Sequence, residues 1–220
     1  MGCTDCRAKG GCDARKGVQR ATLDEVVARV YPDRTWGRPD DEARFGAGVS
    51  SREAKRLARA MAAVLRAPTF FRAGADDDLC WFVWVLCVGR RPSLLEAREG
   101  ALAEAPRIEE RWLRVALSTV ARLAAVQEVS LVLDGGLLVE SPRAGVFDPI
   151  LLDRVQRLVA LLEASDVAHV DFGLLDVPLD GAADGDYHAR FGVSPRLANF
   201  LFFAQPPTTA TSTLIEYATP

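Results

Sequence analysis

Cys3, Cys6 and Cys12 stand in a run that reads Cys3-Thr4-Asp5-Cys6-Arg7-Ala8-Lys9-Gly10-Gly11-Cys12-Asp13-Ala14-Arg15-Lys16-Gly17. Thiols with two and five residues between them can converge on one centre, and glycines let the backbone fold tightly around it. The spacing is compatible with a metal knuckle, a redox switch or a small partner-binding finger. A structural zinc site wants four ligands, and one CxxC pair with Cys12 supplies three. The fourth would come from Asp5, Asp13, His169, His188, Cys80 or Cys87. An open fourth position would also suit an iron-sulfur cluster with an exchangeable iron, although the ferredoxin spacings are missing. Cys3, Cys6 and Cys12 are thus candidate metal ligands, for zinc or an iron-sulfur cluster, but one CxxC without a second knuckle is a weak pattern, which favours the frame of a metal-free interaction finger over metal and over reversible thiol chemistry.

The same segment brings cations and flexible backbone together in Lys9-Gly10-Gly11 and Arg15-Lys16-Gly17. Backbone N–H groups beside cations can cradle an anion. The frame GxxxxGK[ST] of a phosphate-binding loop is absent, as is GxGxxG, so a bound nucleotide is not expected here. The segment is better suited to reaching a phosphate held by another protein, as an arginine finger does in a GTPase transition state. Lys9, Gly10, Gly11, Asp13, Arg15 and Lys16 are the expected partner-binding residues. Trp36, an aromatic in a polar loop, is added to them as a surface contact.

Other clusters carry weaker signals. His169 and Asp171, two apart in a candidate strand, would share a face, and a carboxylate can orient an imidazole base. No nucleophile is signalled beside them, and a histidine satisfying buried hydrogen bonds is the plainer reading. Asp171-Phe172-Gly173 lacks the other kinase signatures. Asp76-Asp77-Asp78 lacks the alternating ligands of a calcium loop and reads as a solubilising flank. Cys80 and Cys87 lie in an apolar strand on opposite faces, where buried thiols act as small hydrophobes. Trp81, Trp84 and Trp112 read as core.

The elements behind these residues follow from period and punctuation. Thr22 with Glu25 opens a short helix through Leu23, Val27 and Val30 that Pro32 stops. Ser50 with Glu53 opens a second, reaching about Arg66 through Leu57, Met61, Val64 and Leu65. Leu79–Val88 is almost wholly apolar and rich in aromatic and β-branched types, which predicts a central strand covered on both faces. Gly89–Pro92 reads as a turn into a second strand, Ser93–Arg98. Helical spacing through Ile108, Trp112, Val115, Thr119, Leu123 and Val126 predicts a helix over Arg107–Val126. Val129–Leu133 and Leu137–Glu140, joined by Asp134-Gly135-Gly136, predict a β-hairpin. Asp148-Pro149 caps a helix with Leu151, Val155, Leu158 and Leu162 on its buried stripe. Val167–Phe172 is a strand candidate, and Leu197–Phe203 a last apolar element. The expected fold is α+β: helices interleaved with antiparallel β-hairpins around one core, behind an irregular Cys/Gly-rich head. Residues 1–20 form the head, 21–205 one α+β domain, and 206–220 an extended Pro/Thr-rich tail.

The 220 residues are 49% hydrophobic and 26% charged, the balance of a globular chain with a real core. Five cations against two carboxylates give residues 1–20 a formal +3, and the chain total of −3 leaves −6 for the rest. A basic tip on an acidic body is steered toward phosphate or a carboxylate-lined cleft, whereas nucleic-acid binding calls for a broader positive surface. Lysine is scarce, only Lys9, Lys16 and Lys55, a bias of GC-rich bacterial genomes. No stretch is long and apolar enough for a membrane span or a signal peptide, so a cytoplasmic protein without a disulfide framework is expected.

The run Cys3, Cys6, Gly10-Gly11-Cys12 and Arg15-Lys16, about one tenth of the chain, resembles the head of the RomY family of myxobacterial cell-polarity proteins. These are co-activators that work with a roadblock-type partner to stimulate the Ras-like motility GTPase MglA. The resemblance implies a non-enzymatic regulator that docks on a small GTPase, an activator rather than a catalyst. A thiolate-bound zinc or iron-sulfur protein with redox or enzymatic activity is the competing expectation.

Overall fold

The computed structural model describes residues 20–33, 35–36, 47–73, 79–89, 94, 107–134, 137–143, 147–179, 187–203 and 211–213. Helix α1 spans Arg20–Val30, with Leu23, Val27 and Val30 buried along one side and Pro32 just past its end. Helix α2 spans Ser51–Leu65. Ser50 caps it by accepting a hydrogen bond from the Glu53 N–H, which satisfies one of the orphan donors of the first turn. Ala54, Leu57, Ala58, Met61 and Leu65 form its buried stripe, and Arg66 closes it in the left-handed region at φ 49°.

Among the described residues seven strands build one sheet: β1 Thr69–Ala73, β2 Cys80–Val88, β3 Ile108–Ser118, β4 Leu123–Asp134, β5 Leu137–Arg143, β6 Ala168–Val170 and β7 Thr211–Thr213. The order is β1-β2-β3-β4-β5-β7, antiparallel throughout, while β6 runs parallel to the start of β4. The α+β class with antiparallel hairpins read from the sequence is therefore the observed one. After a 3-10 turn over Pro149–Leu151, helix α3 covers Leu152–Ala164. Short helices follow at Phe172–Leu175 (α4), Tyr187–Phe191 (α5) and Leu197–Leu201 (α6). Among the described residues no helix is long and apolar enough to cross a membrane.

Alternation along the strands divides the core. On one face Val83, Val85, Leu113, Val115, Leu117, Ala124 and Val126 meet the buried stripes of α2 and α3. On the other, Cys80, Ala116 and Ala125 pack with α1, α4, α5 and α6. Further along that second face, Trp84, Leu86, Trp112, Val129, Leu131 and Leu133 pack with Leu94. A sheet covered on both faces explains why β2 reads as a continuous apolar run. Cys80 and Cys87 join clusters on opposite faces, as their spacing predicted.

The helix expected over Arg107–Val126 is not formed: β3, the bend 119–122 and the start of β4 occupy it. The stripe Ile108, Trp112, Val115, Thr119, Leu123 and Val126 imitates a helical period. Yet Leu113, Ala116 and Leu117, off that stripe, are as buried as those on it, because a strand buried on both sides loses its alternation. The hairpin at Asp134 is observed, with Asp134 opposite Leu137, although β4 begins well before the predicted Val129. The Val167–Phe172 strand shortens to Ala168–Val170, since Asp171 turns the chain into α4. Of the strand expected at Ser93–Arg98, the described residue Leu94 lies in a turn, and the rest falls outside the described residues. Within the tail, read as extended surface chain, Thr211–Thr213 form β7 beside β5.

Backbone approach fixes one glycine. Val49 N–H donates to the Ser118 carbonyl at 2.8 Å, and a Cβ on Gly48 would lie 2.1 Å from the Thr119 carbonyl carbon. Only a residue without a side chain lets the entry to α2 lie against the end of β3.

Candidate functional site

The head residues Cys3, Cys6, Lys9, Gly10, Gly11, Cys12, Asp13, Arg15 and Lys16 lie outside the described residues. Trp36, the remaining expected contact, corrects its reading: it is 6% exposed and packed edge-on against Tyr187 and Phe191. Its indole N–H donates to the Asn199 carbonyl at 3.2 Å. Trp36 thereby packs into α5 and α6 and is part of the core rather than a surface contact.

His169 and Asp171 do not form a base and its orienter. The Asp171 carboxylate accepts the Gly173 N–H at 2.6 Å and caps α4. His169, half-buried in β6, has its imidazole held below the ordinary value by burial, against the opposing pull of Asp171 and Glu163. Asp171 serves the turn from β6 into α4.

The most concentrated polar chemistry among the described residues lies on the sheet itself. Arg114 of β3 stands opposite Gln127 of β4. Its Nε donates to Gln127 Oε1 at 3.1 Å and its Nη1 to Glu140 Oε1 of β5 at 2.6 Å. The guanidinium lies 5.4 Å from the Phe82 ring centre, 5.3 Å from that of Trp84 and 5.8 Å from that of Phe203. A planar, weakly hydrated cation is suited to such a box, where ring faces and a carboxylate offset its desolvation. One residue thereby links β2, β3, β4, β5 and the chain after α6. The sequence concealed this cluster, because its polar members Arg114, Gln127 and Glu140 are near only when 107–126 is read as strand; the register then sets Arg114 and Gln127 side by side.

Three further groups are structural. The Glu110 carboxylate, fully buried, accepts from Leu94 N–H and from the Trp112 indole, each at 3.0 Å. The Ile150 N–H hydrogen bond, and after it the paired Arg111 guanidinium, hold the Asp148 carboxyl below the usual range; the Asp148 N–H donates to Glu128 at 2.8 Å. Arg122 donates to Glu53 at 2.8 Å and to the Ser165 and Asp166 carbonyls at 2.9 and 2.7 Å. It places a cation at the C-terminus of α3, and its hydrogen bond holds the Glu53 carboxyl low.

Burial raises the Cys87 thiol, the opposite of what an active thiolate needs. Among the described residues no group of three His, Cys, Asp or Glu side chains gathers to hold a metal. These arrangements can clamp helices and strands, and none sets a nucleophile beside a base. No protein-family model, no curated protein and no solved structure matches the chain.

Proposed function

We propose that the protein is a non-enzymatic regulator that docks on a protein partner through its Cys/Gly-rich basic head, as a co-activator of a small Ras-like GTPase. The observation that carries this reading is the asymmetry of the chain: three thiols and a net +3 within residues 1–20, ahead of a remainder at −6. The charged clusters described on the body support it, being engaged in holding the fold together. Arg15 and Lys16 sit between Cys12 and Gly17, so a folded thiol finger presents two cations on a short tether. Such cations stabilise the charge that develops on a partner's nucleotide during hydrolysis. The resemblance of this run to the RomY head names the partner class: a Ras-like GTPase together with its roadblock-type regulator. Titrating the full chain into the GTP-loaded GTPase, with and without that regulator, tests the reading; phosphate release rises with the chain present, and a rate unchanged at saturation refutes it.

The spacing of Cys3, Cys6 and Cys12 favours a second reading, a thiolate-bound zinc or iron-sulfur centre. Metal analysis and absorbance at roughly 300–450 nm after anaerobic purification separate a colourless finger from an iron-sulfur protein.

A further inference from the structure

Helix α2 turns all its cations to solvent. Arg52, Lys55, Arg56 and Arg59 are exposed, as is Arg66 at its C-cap. At 3.6 residues per turn these positions fall in one stripe about 100° wide and about 20 Å long, opposite the buried one. Glu53, the one carboxylate in this stretch, lies beside the stripe and is held by Arg122 at 2.8 Å, with Arg56 3.8 Å away. Residues 51–66 carry a formal +4, and since the chain outside the head sums to −6, the rest of the body stands at −10. This segregation costs the helix stability. Arg52 with Lys55 and Arg56, and Arg59 with the same two, are like charges three or four residues apart. Arg52 and Lys55 also stand near the positive end of the helix dipole, where carboxylates are favoured. An anion laid along the stripe relieves both effects.

We propose that the solvent face of α2 docks an acidic helix of another protein. The positive strip is one helix wide. α3 packs beside α2 with the opposite sense, since Arg122 reaches both Glu53 in the first turn of α2 and the Ser165 carbonyl just past α3. The exposed side of α3 carries Asp153 and Glu163, with Asp166 beyond its end. A membrane surface or a nucleic-acid duplex laid over α2 also meets these carboxylates, whereas a single acidic helix lies on the stripe alone. Nor does α2 offer a membrane a large side chain to insert: Val64, 40% exposed, is its largest exposed apolar residue. Arg52, Arg56 and Arg59 follow one another at steps of four and three, so a partner helix with Asp or Glu at the same steps sets a carboxylate against each guanidinium. This surface belongs to the body and does not depend on the function proposed for the head.

The probe is a fluorescent alanine-based helix of about 20 residues with glutamates at three- and four-residue steps along one face. A control helix carries the same glutamates scattered around all faces. Both are titrated into the full chain and into its Arg52→Gln, Arg56→Gln, Arg59→Gln variant, which leaves the head intact. The one-faced helix should bind the variant about tenfold more weakly, with melting as high as the parent's or higher. Arg157→Gln on α3 should change binding by less than about twofold. Equal affinity for parent and triple variant overturns the proposal, as does a scattered control that binds as tightly as the one-faced helix. A triple variant that melts well below the parent also overturns it, since the cations would then serve the fold. So does tighter binding, lost in the triple variant, to phosphatidylcholine vesicles with about 30% phosphatidylserine or to duplex DNA. A carbodiimide cross-link gives an answer without any variant, because Lys55 is the one lysine outside the head. The one-faced helix should join Lys55, read by mass spectrometry of the digest. Cross-links confined to Lys9 or Lys16 would assign the acidic ligand to the head. Lys55 joined before peptide is added to a carboxylate of its own chain, or of a second copy, would make the contact internal or homotypic; either result overturns the proposal.

Discussion

At the scale of single residues, Arg114 and His169 show how side chains that look reactive are used by the fold. Arg114 is 13% exposed and Glu140 23%, so removing the cation leaves a carboxylate poorly solvated and a gap between three rings. Arg114→Ala is expected to lower stability by about 3 kcal/mol in urea unfolding. Arg114→Lys should recover little of it, because an ammonium cannot reach Gln127 and Glu140 as a fork or lie flat among the rings. A lysine variant as stable as the parent would contradict that geometry. His169 predicts a pH effect. Its folded-state value lies below 6.5, so the unfolded chain takes up the proton first as pH falls, and stability declines below about 6.5. Glu53 and Asp148, also held low, add a further decline below about 4.5 and 3.8 respectively. His169→Gln should flatten the upper step of a melting-temperature titration and leave the lower one; an upper step that persists would assign it elsewhere.

At the scale of elements, legibility depended on whether a segment faces one environment or two. Helices α1, α2 and α3 each bury one stripe, so period located them to within a few residues; Ser50 and Asp148 stand where the capping pattern put them, whereas Thr22 lies inside α1 rather than at its cap. The hairpin of β4 and β5 was legible because the Asp134-Gly135-Gly136 turn is local chemistry. β3 was misread because it is buried on both faces, and a subset of its apolar residues then matches any period. β1, five residues with no turn signal of its own, went unassigned, and β7 was hidden in a Pro/Thr-rich tail whose pairing is wholly non-local. The same non-local register hid the Arg114 cluster. The contact of Gly48 with the backbone of Thr119 joins α2 to the end of β3, so Gly48→Ala should cost about 1–3 kcal/mol in thermal or urea unfolding. A neutral substitution there would mean that the two segments do not touch.

At the scale of the whole molecule, the protein divides into a body whose charged clusters hold helices to a sheet and a head whose thiols and cations are proposed to meet a partner. If Cys3, Cys6 and Cys12 act as one unit, a serine at any one of them should reduce partner stimulation as much as serine at all three, whether or not metal is bound. Graded, additive losses would show three independent thiols. The most direct measurement of the central claim is GTP hydrolysis by the Ras-like partner at saturating concentrations of the Arg15→Glu, Lys16→Glu variant, with its melting checked beside the parent. Reversing two finger cations should abolish stimulation, a loss on the order of a thousandfold where the finger enters the nucleotide site, with folding unchanged. Normal stimulation at saturation would contradict the account and reduce the head to a steering surface.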